Sequence, residues 1–256
     1  MALIAMAVWD TVENGRTGLT IRTLEHLRLQ IGWHRLVVVD NGSCKETRDY
    51  LHELSWLGVQ VITLSHNIGT ARAVNKAWAL RDPGEPAVKM DNDVLIYQPN
   101  WVDLLCEVVQ RDPSLGVVGL KRKDLAESPL SDVPFYKSSL RMLPHEPGQR
   151  WLVVEEVLHV MGTCQLYSSA LLDKIGYLLQ PGVYGFDDAL SSLRAHLTGF
   201  KTVFLHGVEI DHIDPGGTRY TAWKAEYAEQ QMAAYGKLAQ EFKDKKRSVY
   251  CSEQGE

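Results

Sequence analysis

The sequence predicts an α/β domain built on a mostly parallel sheet with helices on both faces. Three observations carry this prediction. Strand-like and helix-like stretches alternate from the first residues. The strand-like runs are continuous in apolar and β-branched residues, as strands covered on both faces require. The 256 residues, 45% hydrophobic and 23% charged, supply ample apolar material for one large core.

"LIAMAVW" (3–9) reads as a buried first strand, a helical stretch spans 20–30, and "RLVVVD" (35–40) completes a βαβ opening. Residues 45–57 carry Tyr50, Leu51, Leu54 and Leu57 as a helical stripe. They lead to the strand "VQVITL" (59–64) and a helix with Ala71, Val74, Ala77 and Trp78 inward. "PAVKM" supplies the next strand, expected to persist through residue 93. Asn100 is expected to N-cap a helix that turns Trp101, Leu104, Leu105 and Val108 inward, ahead of the strand "VVGL" (117–120). Residues 121–150, with four prolines and mixed charge, read as a long loop. Order returns with "WLVVEEVLHVMGTCQLY" and the helix "SSALLDKIG", started by a serine cap and stopped by Gly176. A helix over 187–198 should bury Leu190, Leu193 and Leu197 and end at Gly199. After "TVFL" and "VEIDHIDPGG", residues 219–246 space Trp223, Tyr227, Ala234, Leu238 and Phe242 as one long amphipathic helix.

A net charge of −5 gives no global footprint for polyanions. The four cysteines (Cys44, Cys106, Cys164, Cys251) form no CxxC pair, which fits a reducing, cytoplasmic setting and excludes a cysteine-built zinc site. The apolar start lacks a basic leader, and no run approaches the roughly 20 apolar residues of a membrane span.

Several short motifs could carry chemistry. In "VKMDNDVLI" a strand's period of two would send Asp91 and Asp93 to one face at the carboxyl end of the sheet, where α/β folds bind ligands. Two converging carboxylates repel unless a cation joins them, and a hard divalent metal is the usual partner. Alone, the pair equally suits a solvated turn. "VVVDNGS" ends a strand in an acid, an amide and a glycine, a tip that can hydrogen-bond a base or ribose. "SHNIGTARAVNKAW" sets Asn67, Gly69 and Arg72 at a strand-to-helix junction, where backbone amides and a guanidinium can face anions. Asp187 and Asp188 open a helix, where acids offset the dipole or serve as a general base. His212 follows a short strand and precedes a Pro-Gly-Gly turn.

Taken together and in order, "VVVDNGS", "HNIGTARAVNKAW", "VKMDNDV" and "GFDDALSSLRAHLTGF" resemble glycosyltransferase family 2, inverting nucleotide-sugar enzymes of the GT-A fold. The resemblance covers roughly residues 3–217. It implies a catalytic domain over 1–217, with 218–256 as a helical extension packed on it. Position by position it implies that Asp40 contacts the nucleobase, that Arg72 lies near the base or ribose and that Asp91 touches the ribose, with Asn67 and Gly69 also in the donor-binding set. Asp93 would bind the metal, Mn2+ or Mg2+, with His212 completing its site, and Asp188 would be the catalytic base. Arg194 and Gly199 fall where the family's later arginine and glycine fall. The chain departs from the pattern at Asp187, where the family has a glutamate, at Leu190, where an acid often follows the base, and after the first strand, which lacks Pro-x-Tyr-Asn. Trp9 and Asp10 are placed near the nucleotide.

The implied reaction moves a sugar from a nucleoside-diphosphate sugar, uridine diphosphate being the family's commonest carrier, to an acceptor hydroxyl. The acceptor would meet loop 121–150, "HVMGTCQLY" and "LQPGVYGF", with Tyr184 and Phe186 available to stack on a sugar ring. It could be a saccharide, a lipid-linked group, a protein or a modified nucleic acid, and the long last helix could dock a second copy. Two rival readings are a sugar-1-phosphate nucleotidyltransferase, of whose glycine-rich loop "ENGRTG" is a faint echo, and a non-catalytic nucleotide-sugar-binding scaffold.

Overall fold

Parallel β1 (Leu3–Val8), β2 (Arg35–Asp40), β3 (Gln60–Thr63) and β4 (Ala87–Met90) form one half of the sheet in the order β3-β2-β1-β4. These strands consist almost wholly of Val, Ile, Leu, Ala and Met, and β1 and β4 are buried along nearly their whole length. The covering helices are α1 (Thr17–Arg28), α2 (Lys45–Trp56) and α3 (Thr70–Trp78). This is a computed structural model, and it describes residues 1–126 and 139–253.

The second half is mixed. It contains β5 (Val94–Leu95), α4 (Trp101–Arg111), β6 (Leu115–Arg122), α5 (Lys123–Ala126), β7 (Ser139–Met142), β8 (Val153–Val157) and β9 (Cys164–Tyr167). Then follow α6 (Ser169–Ile175), α7 (Asp187–Leu197), β10 (Lys201–His212) and α8 (Arg219–Lys243). β9 is inserted antiparallel between β4 and β6, β10 runs parallel to β6, and β8 and β7 continue antiparallel to the edge. Two large apolar layers result. Met6, Leu24, Trp101, Leu105 and Leu166 lie in one, and Ala5, Val74, Trp78, Tyr167 and Phe204 in the other.

Several sequence expectations are corrected. β4 stops at Met90, so Asp91 and Asp93 stand in a turn and not in strand alternation. Asn100 makes no side-chain cap; it sits at φ 55°, a left-handed conformation that asparagine tolerates, and its carbonyl accepts the first helical bond from Leu104. Leu197 is 43% exposed, because Ser191, Ser192, Arg194 and Ala195 form the buried face of α7 beside Leu190. The stretch 121–150 is not a continuous loop: β6 runs into it, α5 follows, and β7 pairs with β8; positions 127–138 lie outside the described residues. "TVFL" and "VEIDH" are one strand, β10, interrupted by an irregularity between Phe204 and Glu209.

The end of the chain is tied down. Arg194, fully buried, donates to the carbonyls of Val249 and Tyr177, each at 2.8 Å, and to that of Ile175. Cys251 bridges Gly176, and Glu253 reaches Lys76 of α3 at 2.8 Å.

Candidate active site

A cleft of about 360 Å³ opens at the carboxyl ends of the parallel strands. Its floor is the turn Asp91–Asp93, and polar bonds from α1 hold that turn. Asn92 donates to Thr20 Oγ1 at 2.6 Å and to Asp10 Oδ1 at 3.1 Å, and Thr23 Oγ1 accepts from the Val94 amide. The register of β5 against β10 sets Val94 opposite His212, which brings the imidazole to Asp93.

Around this floor the charges form two clusters. In the first, Arg16 donates to Asp93 Oδ2 at 2.5 Å and to Asp214 Oδ2 at 2.6 Å, while His212 Nε2 stands 3.3 Å from Asp93. Arg16 is delivered by the loop after β1, where Asn14 Oδ1 accepts from the Thr11 and Arg16 amides and Gly15 takes φ 63°. Burial opposes ionisation of Asp93, but His212 and Arg16 outweigh it and hold the carboxyl far below its ordinary range. Lys224 of α8 lies 3.6 Å from Asp214.

In the second cluster, Lys89 Nζ is 2.9 Å from Asp187, 3.7 Å from Asp91, and donates to the Gly162 carbonyl at 3.0 Å. Burial would lower its pKa, yet Asp187, Asp91 and Asp188 raise it well above the ordinary lysine value. Asp188 accepts from the Gly162 amide at 2.9 Å and the Ala189 amide at 2.7 Å, and His159 Nε2 is 3.3 Å away. Against burial, His159, Lys89 and the Ala189 amide bring Asp188 down to about 2. Asp91 goes the other way: burial, with Asp93 and Asp187, outweighs Lys89 and lifts it to about 6. A side chain at Gly162 would collide with Lys89 Nζ, 2.7 Å from where its Cβ would lie.

The rings of Trp9, Tyr184, Tyr220 and Trp223 line the same cleft, with Tyr220 and Trp223 stacked 5.6 Å apart and Lys224 4.8 Å from the Tyr220 ring centre. Phe186, at φ 67°, also lines the cleft and stacks on Tyr235 of α8.

Among the residues singled out from sequence, Asn67, Asp91, Asp93, Asp187, Asp188 and His212 line this one cleft. Asp40, Gly69 and Arg72 are not among its lining residues. Asp40 is 1% exposed; its Oδ1 accepts from the Ser43 amide and its Oδ2 is buried without a partner. Gly69, at φ 96°, packs against the Val183 backbone and Gln180. That packing corrects the anion-binding reading of the α3 start: the Thr70 and Ala71 amides are taken by the Val183 carbonyl and Gln180 Oε1. Arg72 is exposed on α3. Asp10 is fully buried beneath the cleft, accepting from Thr20, Thr47 and Asn92. Arg194 is likewise outside the cleft, bound to backbone carbonyls.

Sequence reasoning missed Arg16, Lys89 and His159. Lys89 left a signal, a cation inside an apolar strand two residues before an acid; Arg16 and His159 are single polar residues in loops whose partners lie far along the chain.

A divalent metal fits the first cluster. Asp93 Oδ1 is buried and without a partner, beside an imidazole nitrogen. Among the described residues no three acidic, histidine or cysteine side chains form a metal cage. Two protein donors are thus available, leaving the other positions to phosphate and water, as hard cations accept.

Comparison with known proteins places this geometry. Residues 18–176, more than half of the chain, match the model of Glycosyl transferase family 2. No curated protein matches. A mannosyltransferase from Pyrobaculum calidifontis, solved with GDP-mannose and Mn2+, superposes with a TM-score of 0.64 at 17% identity, over 87% of this chain and 59% of its own. Residues 1–349 of TarS from S. aureus, solved with UDP, give 0.58 at 19% identity over 82% and 60%. GalNAc-T7, solved with UDP, GalNAc and Mn2+, gives 0.59 at 13% identity over 83% and 44%. The chain spans less than two thirds of each of these structures. Among the described residues no helix is long and apolar enough to cross a membrane. The fold is that of the GT-A glycosyltransferases, and the chain belongs to glycosyl transferase family 2.

Proposed function

We propose that the protein transfers a sugar from a nucleoside-diphosphate sugar, uridine diphosphate first among the carriers, to an acceptor hydroxyl with inversion at the anomeric carbon. The observation that carries this is the division of one cleft into an anion-binding cluster and a separate carboxylate cluster. Arg16, Lys224 and His212 ring Asp93 and Asp214, a balanced cluster that a divalent cation at Asp93 would make positive and suited to a diphosphate. Asp188, in the second cluster of the same cleft, is the carboxylate on which removal of the acceptor's proton depends. Asp93 and His212 would hold Mn2+ or Mg2+, whose chemistry when bound would be to neutralise charge on the diphosphate.

The chain's own residues do the rest. Asn67, with Asn41 bonded to it at 2.9 Å, lines the end of the cleft below β2, where the nucleoside fits. Asp91 offers a ribose contact, while Asp40 and Gly69, packed outside the lining, hold the turns that carry Asn41 and Asn67, and Arg72 stays off the cleft on α3. Trp9, Tyr184, Tyr220 and Trp223 offer flat apolar faces to a sugar ring and keep water from the anomeric carbon. α8 supplies two of those four rings, so the helical extension is part of the site.

The test is a thermal-shift panel of UDP- and GDP-sugars with and without Mn2+, since a ligand of the native state raises the melting temperature. The stereochemistry of the transfer or hydrolysis product is then read by NMR. Stabilisation by a nucleotide sugar that requires Mn2+, and an inverted product, are expected; a retained configuration overturns the inverting mechanism.

A further inference from the structure

We infer that His159, oriented by Asp188, is the group that receives the proton of the acceptor hydroxyl. This rests on the inverting transfer proposed above and names the atom that completes it.

The position of His159 is built from both sides. After β8 the chain runs along α7 from its last turn to its first, and its backbone is pinned at three points. The Leu158 carbonyl accepts from His196, the Val160 amide donates to Ser192 Oγ, and the Gly162 amide donates to Asp188. The ring between these anchors lines the cleft with Nε2 3.3 Å from Asp188 Oδ2. The two side chains keep 25% and 24% of their exposure, so a ligand can reach both.

The chemistry separates the roles. Asp188 already accepts from two backbone amides, and the imidazole 3.3 Å away also favours its anion. Such a carboxylate is a weak proton acceptor. It is well suited to fixing a tautomer: with Nε2–H turned to Asp188, Nδ1 carries the lone pair. The charged groups facing the ring are Asp188 and Asp187 from α7, with Lys89 of β4 behind them on Asp187. Burial lowers the imidazole's pKa, but the two acids outweigh it and raise the pKa above the ordinary 6.5.

In the step itself the acceptor O–H breaks and its proton passes to Nδ1. The oxygen bonds the anomeric carbon as that carbon's bond to the diphosphate breaks, and the electron pair leaves with the diphosphate. The imidazolium then returns its proton to water.

The experiment uses the full chain and the donor identified by thermal shift. Turnover is followed against pH for the wild type, His159→Ala and Asp188→Asn, with imidazole added to the first variant. The wild-type rate should rise with pH through a midpoint above 6.5. His159→Ala should lose about 100-fold or more in kcat with donor KM little changed, and imidazole should restore part of the rate. A variant that keeps more than half of the wild-type turnover on an unchanged pH profile overturns the inference and leaves Asp188 as the sole base. Nitrogen-15 NMR of the wild-type imidazole, which needs no variant to fold, must show Nε2 protonated and Nδ1 bare at high pH; the opposite tautomer overturns the inference. Product stereochemistry and nucleotide binding are read on the wild type alone, so a failure of the glycosyltransferase reading shows there and not in His159.

Discussion

The two charge clusters of the cleft use the same residue types to opposite ends. Around Asp93 a guanidinium and an imidazole meet one carboxylate, and that carboxylate is held ionised. Around Lys89 one ammonium faces Asp91, Asp187 and, further off, Asp188; there the acids diverge, Asp91 lifted to about 6 and Asp188 drawn down to about 2. Two aspartates with one residue between them, Asp91 and Asp93, are thus shifted in opposite directions. Burial raises each of them, and the direction that results follows the cations and donors that reach it.

The comparison is broken most severely at Asp93. Asp93→Ala should lower transfer by three orders of magnitude or more, roughly the scale of removing an electrostatic anchor of a transition state, and should abolish the Mn2+ dependence of the nucleotide thermal shift. A variant with full turnover would assign the metal elsewhere.

Next comes Lys89→Met, which leaves Asp187 buried without its cation. A loss of about 3–5 kcal/mol in urea-unfolding stability is expected. A loss under 1 kcal/mol would show that the second cluster relaxes around a missing charge.

Arg16→Gln sharpens the first cluster. Arg16 occupies the carboxylate that a metal would use, so the variant should bind Mn2+ more tightly in titration calorimetry while binding UDP or GDP several-fold more weakly. Weakening of both would make Arg16 a purely structural ion pair.

The smallest effect is a pH dependence. His159 has a raised pKa, so its contribution to stability is complete below about 6.5 and fades as pH rises through the raised value; Asp188's contribution is present above about 3.8 and fades as pH falls through about 2. The melting-temperature deficit of His159→Gln should therefore be greatest between roughly pH 4 and 6.5 and shrink towards pH 9. A deficit independent of pH would mean that the pair is held by shape and not by charge.

Much of the first half of the fold was legible because its signals are local. The runs "LIAMAVW" and "RLVVVD" need no distant partner to read as buried strands, and β1, β2, α2 and α3 stand within a few residues of expectation. The second half was less legible because its strands are defined by partners. "CQLY" is four residues long, and nothing in it announces an antiparallel place between β4 and β6. The acids of "DND" were found, but their separation comes from Asn92 pinning the turn to α1, not from strand alternation. Arg16 and Asp93 are 77 positions apart, a pairing that no periodicity reveals.

Arg194 has one more consequence. Its buried cation is satisfied wholly by main-chain carbonyls, one of them on the returning tail at Val249. Such a lock reads the path of the tail, so it is indifferent to the side chain at 249, while Cys251 and Glu253 are held by their own contacts. Removing residues 248–253 exposes no large core, yet it strands a positive charge inside the protein. The course of the tail is therefore indispensable, and a deletion there should act on the whole cleft through α7, the helix that carries both Arg194 and Asp188.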